Sequence, residues 1–137
     1  MTQKLEFVIA GEPVGKARPR FTRSGHTYTP AKTVNYENLV KLSFTDQISY
    51  FVPNKEPVRM LLRAFYKIPK STPKKYLADM GNGIIQPMKK PDADNIIKSV
   101  ADALNGIAYH DDAQIVSVLC EKYYSDRPRV EVLIIIG

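Results

Sequence analysis

Four β-rich runs separated by helical patterns are the feature that most limits how this chain can fold. The runs cover residues 5–10, 58–68, 113–124 and 129–136. They are rich in β-branched and aromatic residues, and Gly, Pro, Asn or Asp residues bound most of them. Apolar residues at helical spacing occupy residues 33–50 and 95–104. The order predicts an α/β (α+β) fold, with a mixed sheet of about four strands and two or three helices.

The polar connections predict several local structures. Residues 125–128 carry a turn signal, so the last two strands are expected to form a hairpin. Residues 15–30 contain two Gly and two Pro without an apolar period, which predicts a long functional loop. Ser71 or Thr72 is expected to cap a short basic helix, with Pro73 in its first turn. The expected apolar face of the 33–50 helix comprises Tyr36, Leu39, Val40, Leu42, Phe44 and Ile48.

Length and composition narrow the class of protein. A chain of 137 residues fits a single domain, residues 1–137, with one core of ordinary size. No apolar run is long enough to predict a membrane span. The single cysteine, Cys120, excludes an intramolecular disulfide and a cysteine-rich zinc site. The cytoplasm of a bacterium, or of one carrying a phage, is the expected compartment.

Charge is distributed in blocks along the chain. The net charge is +6, which weakly favours a polyanionic partner. Residues 13–36 hold no acid, and residues 67–90 hold one acid among six lysines. The acids cluster at Asp92, Asp94, Asp102, Asp111 and Asp112. Basic segments beside such a cluster favour phosphate binding near a metal, although solvated basic loops remain an equal alternative. The candidate DNA-binding residues are Lys16, Arg18, Arg20, Arg23, Lys89 and Lys90.

The segment from residue 89 to residue 98 carries the most chemistry. Asp92 and Asp94 lie at the start of a predicted helix, where one can cap it and the other can complement its dipole. Carboxylates with this spacing can also converge on one hard cation. Lys98 lies one turn after Asp94, which allows an exposed ion pair or an ammonium that stabilises charge on a phosphate. The spacing alone leaves both pairs of alternatives open.

A second acidic pair follows the predicted helix. The helix advances about 16 Å, and the seven residues after it can return about 23 Å. A carboxylate of Asp111 or Asp112 can therefore reach back to Asp92 and Asp94. Aspartates without cysteines or a convincing histidine pair are ligands for Mg²⁺ or Mn²⁺ rather than zinc. His26 and His110 are not expected to be ligands.

The run KKPDADNIIKSVADALNG, followed by HDDAQI, resembles the catalytic core of the RusA family of Holliday-junction resolvases. That family's pattern combines basic residues, Asp-x-Asp-Asn, a Lys four residues after the second Asp, Asp-Ala-Leu and Asp-Asp-Ala-Gln. Every part of the pattern is present between Lys89 and Gln114. The N-terminal GEPVGKARPRFTRSGHTYTP is similar to the phage- and prophage-type branch of the family, with a longer and more basic arm than some members have.

The resemblance implies roles for individual residues. It makes Asp92, Asp94 and Asp112 the metal-binding carboxylates and Lys98 the catalytic lysine, while Asp111 becomes a supporting acid. It also implies a homodimer that requires Mg²⁺, with Mn²⁺ as a substitute. Such a dimer would resolve four-way junction DNA by paired cuts during recombination and repair. A non-catalytic branched-DNA-binding dimer, or a metal-dependent nuclease specific for flaps or forks, remains an alternative.

Overall fold

A computed structural model describes residues 2–137 and contains a four-stranded mixed sheet and three α-helices. The strands are β1 (Gln3–Ala10), β2 (Arg20–Phe21), β3 (Thr27–Tyr28), β4 (Val58–Lys67), β5 (Ile115–Ser125) and β6 (Arg129–Ile136). The helices are α1 (Ala31–Gln47), α2 (Lys74–Gly81) and α3 (Ala93–Ala103), and a single 3₁₀ turn covers Asp112–Gln114. The predicted fold class is confirmed. Within residues 2–137, no helix is long and apolar enough to cross a membrane.

The main sheet has the strand order β1-β6-β4-β5. β4 pairs with β5 in parallel and with β6 in antiparallel orientation, so the predicted hairpin of β5 and β6 is wrong. Residues 126–128 instead cross the end of β4. Strands two positions apart are separated by about 10 Å, and three linking residues can span about 14 Å. The turn signal therefore marked a reversal of the chain but did not identify the pairing partner.

Alternation along the strands puts the core on one side of the sheet. The even-numbered residues of β4, from Val58 to Tyr66, are buried, whereas Arg59, Arg63 and Lys67 are exposed on the opposite face. β1 and β6 alternate in the same way. The apolar sides of α1 and α3 cover this face, with Val40, Phe44, Ile96, Val100 and Leu104 in the same core cluster. Helix α3, which carries most of the candidate site, is therefore fixed to the sheet by its buried side.

The helices differ in detail from their predicted form, and α3 begins two residues earlier and ends one residue earlier than expected. α1 begins two residues earlier and ends three residues earlier than expected, and Leu39 and Leu42 are exposed rather than buried. Pro73 occupies the N-cap position of α2, and no side chain caps this helix. The prediction that Ser71 or Thr72 caps α2 is wrong, because the helix begins too late for either side chain to reach its free N–H groups.

The segment predicted as a long functional loop contains a small β ribbon, defined here as residues 18–29. β2 and β3 pair in it, with Arg20 opposite Tyr28 and Phe21 opposite Thr27. Thr22 N–H donates to the His26 carbonyl at 2.7 Å, and Gly25 adopts a φ of +84° in the turn. Strands of two residues are too short to show a period of two, so only the Gly in the turn signalled this hairpin.

Candidate active site

The N-terminus of α3 presents two carboxylates that do not cap it through their side chains. Asp92 is the N-cap residue, yet no side-chain capping hydrogen bond is formed. Asp94 lies in the first turn, where its charge complements the helix dipole. Asp92 and Asp94 are both exposed. The capping alternative therefore leaves the Asp92 carboxylate unexplained.

Lys98 lies on the exposed side of α3, one turn after Asp94. Within residues 2–137 it forms no ion pair, so the Asp94–Lys98 pair that the spacing allowed is not made. Asp102, one turn further on, pairs instead with Lys16 at 2.8 Å. The ammonium of Lys98 therefore stands on the same face as Asp94 without a carboxylate to neutralise it.

The adjacent acids Asp111 and Asp112 have different environments. The Asp111 carboxylate accepts a hydrogen bond from the Ala113 N–H at 3.0 Å, and together with Gln114 it forms a capping box around the 3₁₀ turn. This backbone hydrogen bond holds the pKa of Asp111 below its usual value. Asp111 therefore supports the turn, whereas the Asp112 carboxyl is not used to cap it.

Neighbouring acids crowd the Asp112 carboxyl. A side-chain hydrogen bond with Asp111, partial desolvation and the nearby Asp102 together raise the pKa of Asp112. Within the described residues, no three His, Cys, Asp or Glu side chains are arranged to hold a metal ion. Asp92, Asp94 and Asp112 are thus not brought together in one ligand cluster. Their carboxylate oxygens nevertheless have the donor chemistry that suits Mg²⁺ or Mn²⁺.

Two polar side chains that sequence reasoning missed fix the turn carrying Asp112. Asn105 Oδ1 accepts a hydrogen bond from the Asp112 N–H at 2.8 Å. The Gln114 amide donates to the carbonyls of Asn54 and Glu56, both at 2.9 Å, which ties the turn to the loop before β4. Gln114, the last residue of the Asp-Asp-Ala-Gln segment, therefore stabilises the turn. Its position in the motif was the only available signal, because its partners lie far away in the sequence.

Two further residues hold the segment that leads into α3. Tyr66 Oη donates to the Pro91 carbonyl at 2.6 Å, and Lys122 Nζ donates to the Lys89 carbonyl at 2.7 Å. Burial raises the pKa of Tyr66, so the phenol keeps its proton and can donate this bond. Lys122 also lies 5.1 Å from the centre of the Tyr66 ring. Of the basic residues predicted to bind DNA, Lys89 and Lys90 are exposed beside this segment.

The basic arm is attached directly beside the start of α3. Gly15 fits against Pro91 and Asn95 so closely that a Cβ at this position would lie 2.9 and 3.0 Å from their Cβ atoms. The Lys16 N–H donates to the Asn95 carbonyl at 3.3 Å. A residue without a side chain is therefore needed at position 15 for this close approach.

Lys16, predicted to contact DNA, is engaged within the protein. Its ammonium lies 3.0 Å from Glu37 and 2.8 Å from Asp102. Burial lowers the pKa of Lys16, but hydrogen bonds to Asp102 and Glu37 outweigh this effect and leave the pKa above its usual value. Arg18, Arg20 and Arg23 are exposed, and none forms an ion pair within the described part of the chain.

Exposed carboxylates can hold a metal that activates water, and unpaired cations can contact phosphates, so this set of side chains suits the cutting of phosphodiesters. Residues 10–135 match the protein family described as endodeoxyribonuclease RusA. The chain therefore belongs to the RusA endodeoxyribonuclease family, as the resemblance of its motifs predicted, and is a nuclease by class. A Bacillus subtilis (strain 168) protein named "Uncharacterized protein YqaN" is 38% identical over 135 residues, which cover 95% of this chain and 94% of that protein.

Proposed function

We propose that this protein is a Mg²⁺-dependent endonuclease that resolves four-way DNA junctions by paired, symmetric cuts. The observation that carries the proposal is the start of α3, where the N-cap residue Asp92 makes no capping bond and Lys98 has no partner among residues 2–137. Side chains that do not stabilise the fold there are available for a ligand. Family membership supports DNA as that ligand.

Each candidate residue takes a distinct role in this proposal. Asp92, Asp94 and Asp112 would hold Mg²⁺, or Mn²⁺ in its place. When bound, the metal supplies an activated water and polarises the scissile phosphate. Lys98 places its ammonium where negative charge grows on the phosphate. Asp111 keeps the turn in shape so that the Asp112 carboxylate remains available.

The basic residues bind the DNA backbone. Arg18, Arg20, Arg23, Lys89 and Lys90 would contact phosphates, which provides affinity without reading bases. Lys16 anchors the arm instead of binding DNA. Two symmetric cuts need two sites, so a homodimer is the simplest assembly, and sedimentation of the purified protein tests it. Recombination and repair in the cytoplasm of a bacterium or a phage-infected bacterium would be its setting.

The test compares a synthetic four-way junction with a matched linear duplex, each incubated with Mg²⁺ and with EDTA. We expect paired cuts in the junction alone, only with Mg²⁺, and none by Asp92→Asn. Asp46→Asn is the matched control, because Asp46 is an exposed acid on α1, outside the proposed site. Loss of cutting in both variants would contradict the assignment of Asp92.

The alternatives give different results in the same assay. Tight binding to the junction without cutting under any divalent metal would identify a non-catalytic DNA-binding dimer. Faster cutting of flaps or forks than of junctions would identify a nuclease of another branched substrate. A panel of junction, flap, fork and duplex therefore decides between the three.

A further inference from the structure

The ribbon exposes a large aromatic side chain among arginines. Every residue from 18 to 29 is exposed, and Phe21 is 76% exposed. Residues paired across two strands share a face, so Phe21 and Thr27 lie on one side of the ribbon while Arg20 and Tyr28 lie on the other. Phe21 and Arg20 therefore point to opposite sides of the ribbon.

The fold gives no reason for this exposure. Phe21 does not belong to the core cluster or to the apolar residues packed against it. An isolated two-stranded ribbon is marginally stable by itself, and here its turn is held by hydrogen bonds among Thr22, Ser24, Gly25 and His26. The exposed phenyl ring of Phe21 on this hydrogen-bonded ribbon is suited to pack against a flat apolar surface of a ligand.

Nucleic-acid bases provide such a surface, but only where they are unstacked. Within a continuous duplex both faces of each base pair are covered by neighbouring pairs. At a branch point, bases lose a stacking neighbour and can stack on an aromatic side chain, which binds bases with little sequence preference. Arg20 is the chain neighbour of Phe21 and Arg23 lies two residues further on, and both are exposed, so this short ribbon also carries cations that suit backbone phosphates. This combination favours branched DNA over linear DNA.

The base of the ribbon fixes where this contact takes place. The Ala17 N–H donates to Thr33 Oγ1 at 3.1 Å, and the preceding residue Lys16 is held by Glu37 and Asp102. Four residues beyond Ala17, Phe21 can lie at most about 14 Å away. Bases along one strand are spaced about 3.4 Å apart. Phe21 therefore lies within about 14 Å of the arm's attachment, a distance that corresponds to about four nucleotides along one strand.

We propose that the ribbon is a base-binding site for branched DNA, in which Phe21 stacks on an unstacked base and Arg20 and Arg23 contact phosphates of the same DNA. This inference rests on the proposed function for its DNA substrate. It goes beyond that function because it assigns recognition of the branch to a site separate from the carboxylates that would cut.

The chain contains no Trp, so a single Trp introduced into it is a specific fluorescent reporter. We would compare Phe21→Trp with Tyr50→Trp, since Tyr50 is 93% exposed and lies outside the ribbon. With Ca²⁺ in place of Mg²⁺ to prevent cutting, a four-way junction should strongly quench the fluorescence of the Phe21→Trp variant. A matched duplex should quench that variant weakly, and neither DNA should quench the Tyr50→Trp variant.

Affinity provides the second measurement. Phe21→Ala should weaken junction binding by about 5-fold or more, the range expected for losing one stacked base, and should leave duplex binding unchanged. Phe21→Trp should restore junction binding. Equal losses on junction and duplex, or quenching that depends on protein concentration without DNA, would overturn the inference. Suppose that the wild-type protein cuts junctions, but the junction neither quenches Phe21→Trp nor binds Phe21→Ala more weakly. The inference then fails while the proposed function stands.

Discussion

Replacing Lys16 with Met tests the role of this residue as an anchor of the arm. The change removes the ammonium that lies 3.0 Å from Glu37 and 2.8 Å from Asp102, and keeps most of the aliphatic stem. Because the side chains involved are only 21–29% exposed, these pairs should contribute more than typical surface pairs. We expect a loss of about 1–2 kcal/mol. For a chain of this length, that corresponds to a fall in Tm of about 3–7 °C.

The same variant separates anchoring from DNA binding. A residue that contacts a phosphate contributes about 0.9 to the slope of log K against log salt concentration. Lys16→Met should leave this slope unchanged, while Arg18→Gln should reduce it by about 0.9 per subunit. Fluorescence anisotropy with a labelled junction over a range of KCl concentrations measures both slopes. An unchanged Tm together with a reduced slope for Lys16→Met would refute the anchoring role.

The effect of pH on this anchor follows from the raised pKa of Lys16. A lysine whose folded-state pKa lies above the ordinary value of 10.5 stabilises the protein fully below that pH, and this contribution is lost only as the pH rises through the folded-state pKa. The difference in Tm between wild type and Lys16→Met should therefore be constant from pH 6 to pH 9. A difference that disappears within this range would contradict the ion pairs.

Three further predictions concern the site itself. Tyr66→Phe leaves the Pro91 carbonyl without its donor, so it should lower the free energy of unfolding by about 1 kcal/mol. It should also raise the Mg²⁺ concentration needed for half-maximal cutting. An unchanged Mg²⁺ requirement would contradict the positioning role of Tyr66. Gly15→Ala should destabilise the protein by about 1–3 kcal/mol and slow cutting, whereas the control Gly81→Ala, whose Cβ would contact nothing, should do neither. Asp112→Asn should abolish cutting without lowering Tm, because it removes a crowded carboxylate; a clear fall in Tm would assign Asp112 to the fold.

Local patterns were sufficient to predict most elements but not their arrangement. The alternation in β4 and β6 is visible in the sequence, and the helices appeared within two or three residues of their true limits. The order of the strands was not visible, because a turn signal at residues 125–128 is equally compatible with a hairpin and with a crossing over β4. Parallel pairing of β4 with β5 depends on residues that are distant in the chain, and spacing within one segment cannot encode it.

The candidate site shows the same division. The motif predicts Asp92, Asp94, Lys98 and Asp112 as a set, yet it did not show that the Asp92 side chain makes no capping bond. Tyr66 was missed because its partner, the Pro91 carbonyl, is a backbone atom that any residue type would supply. The spacing of residues within one segment cannot predict a side-chain hydrogen bond to a backbone atom of another element.

Lys16 illustrates why counting the charges of a basic segment overstates how many of its cations lack a partner within the protein. In the sequence it is one of five equivalent cations between residues 13 and 36. In the fold its ammonium pairs with both Glu37 and Asp102, so the exposed cations on the ribbon are Arg18, Arg20 and Arg23. The contacts of Lys16 and Ala17 keep the base of the ribbon beside the start of α3, where the candidate carboxylates lie.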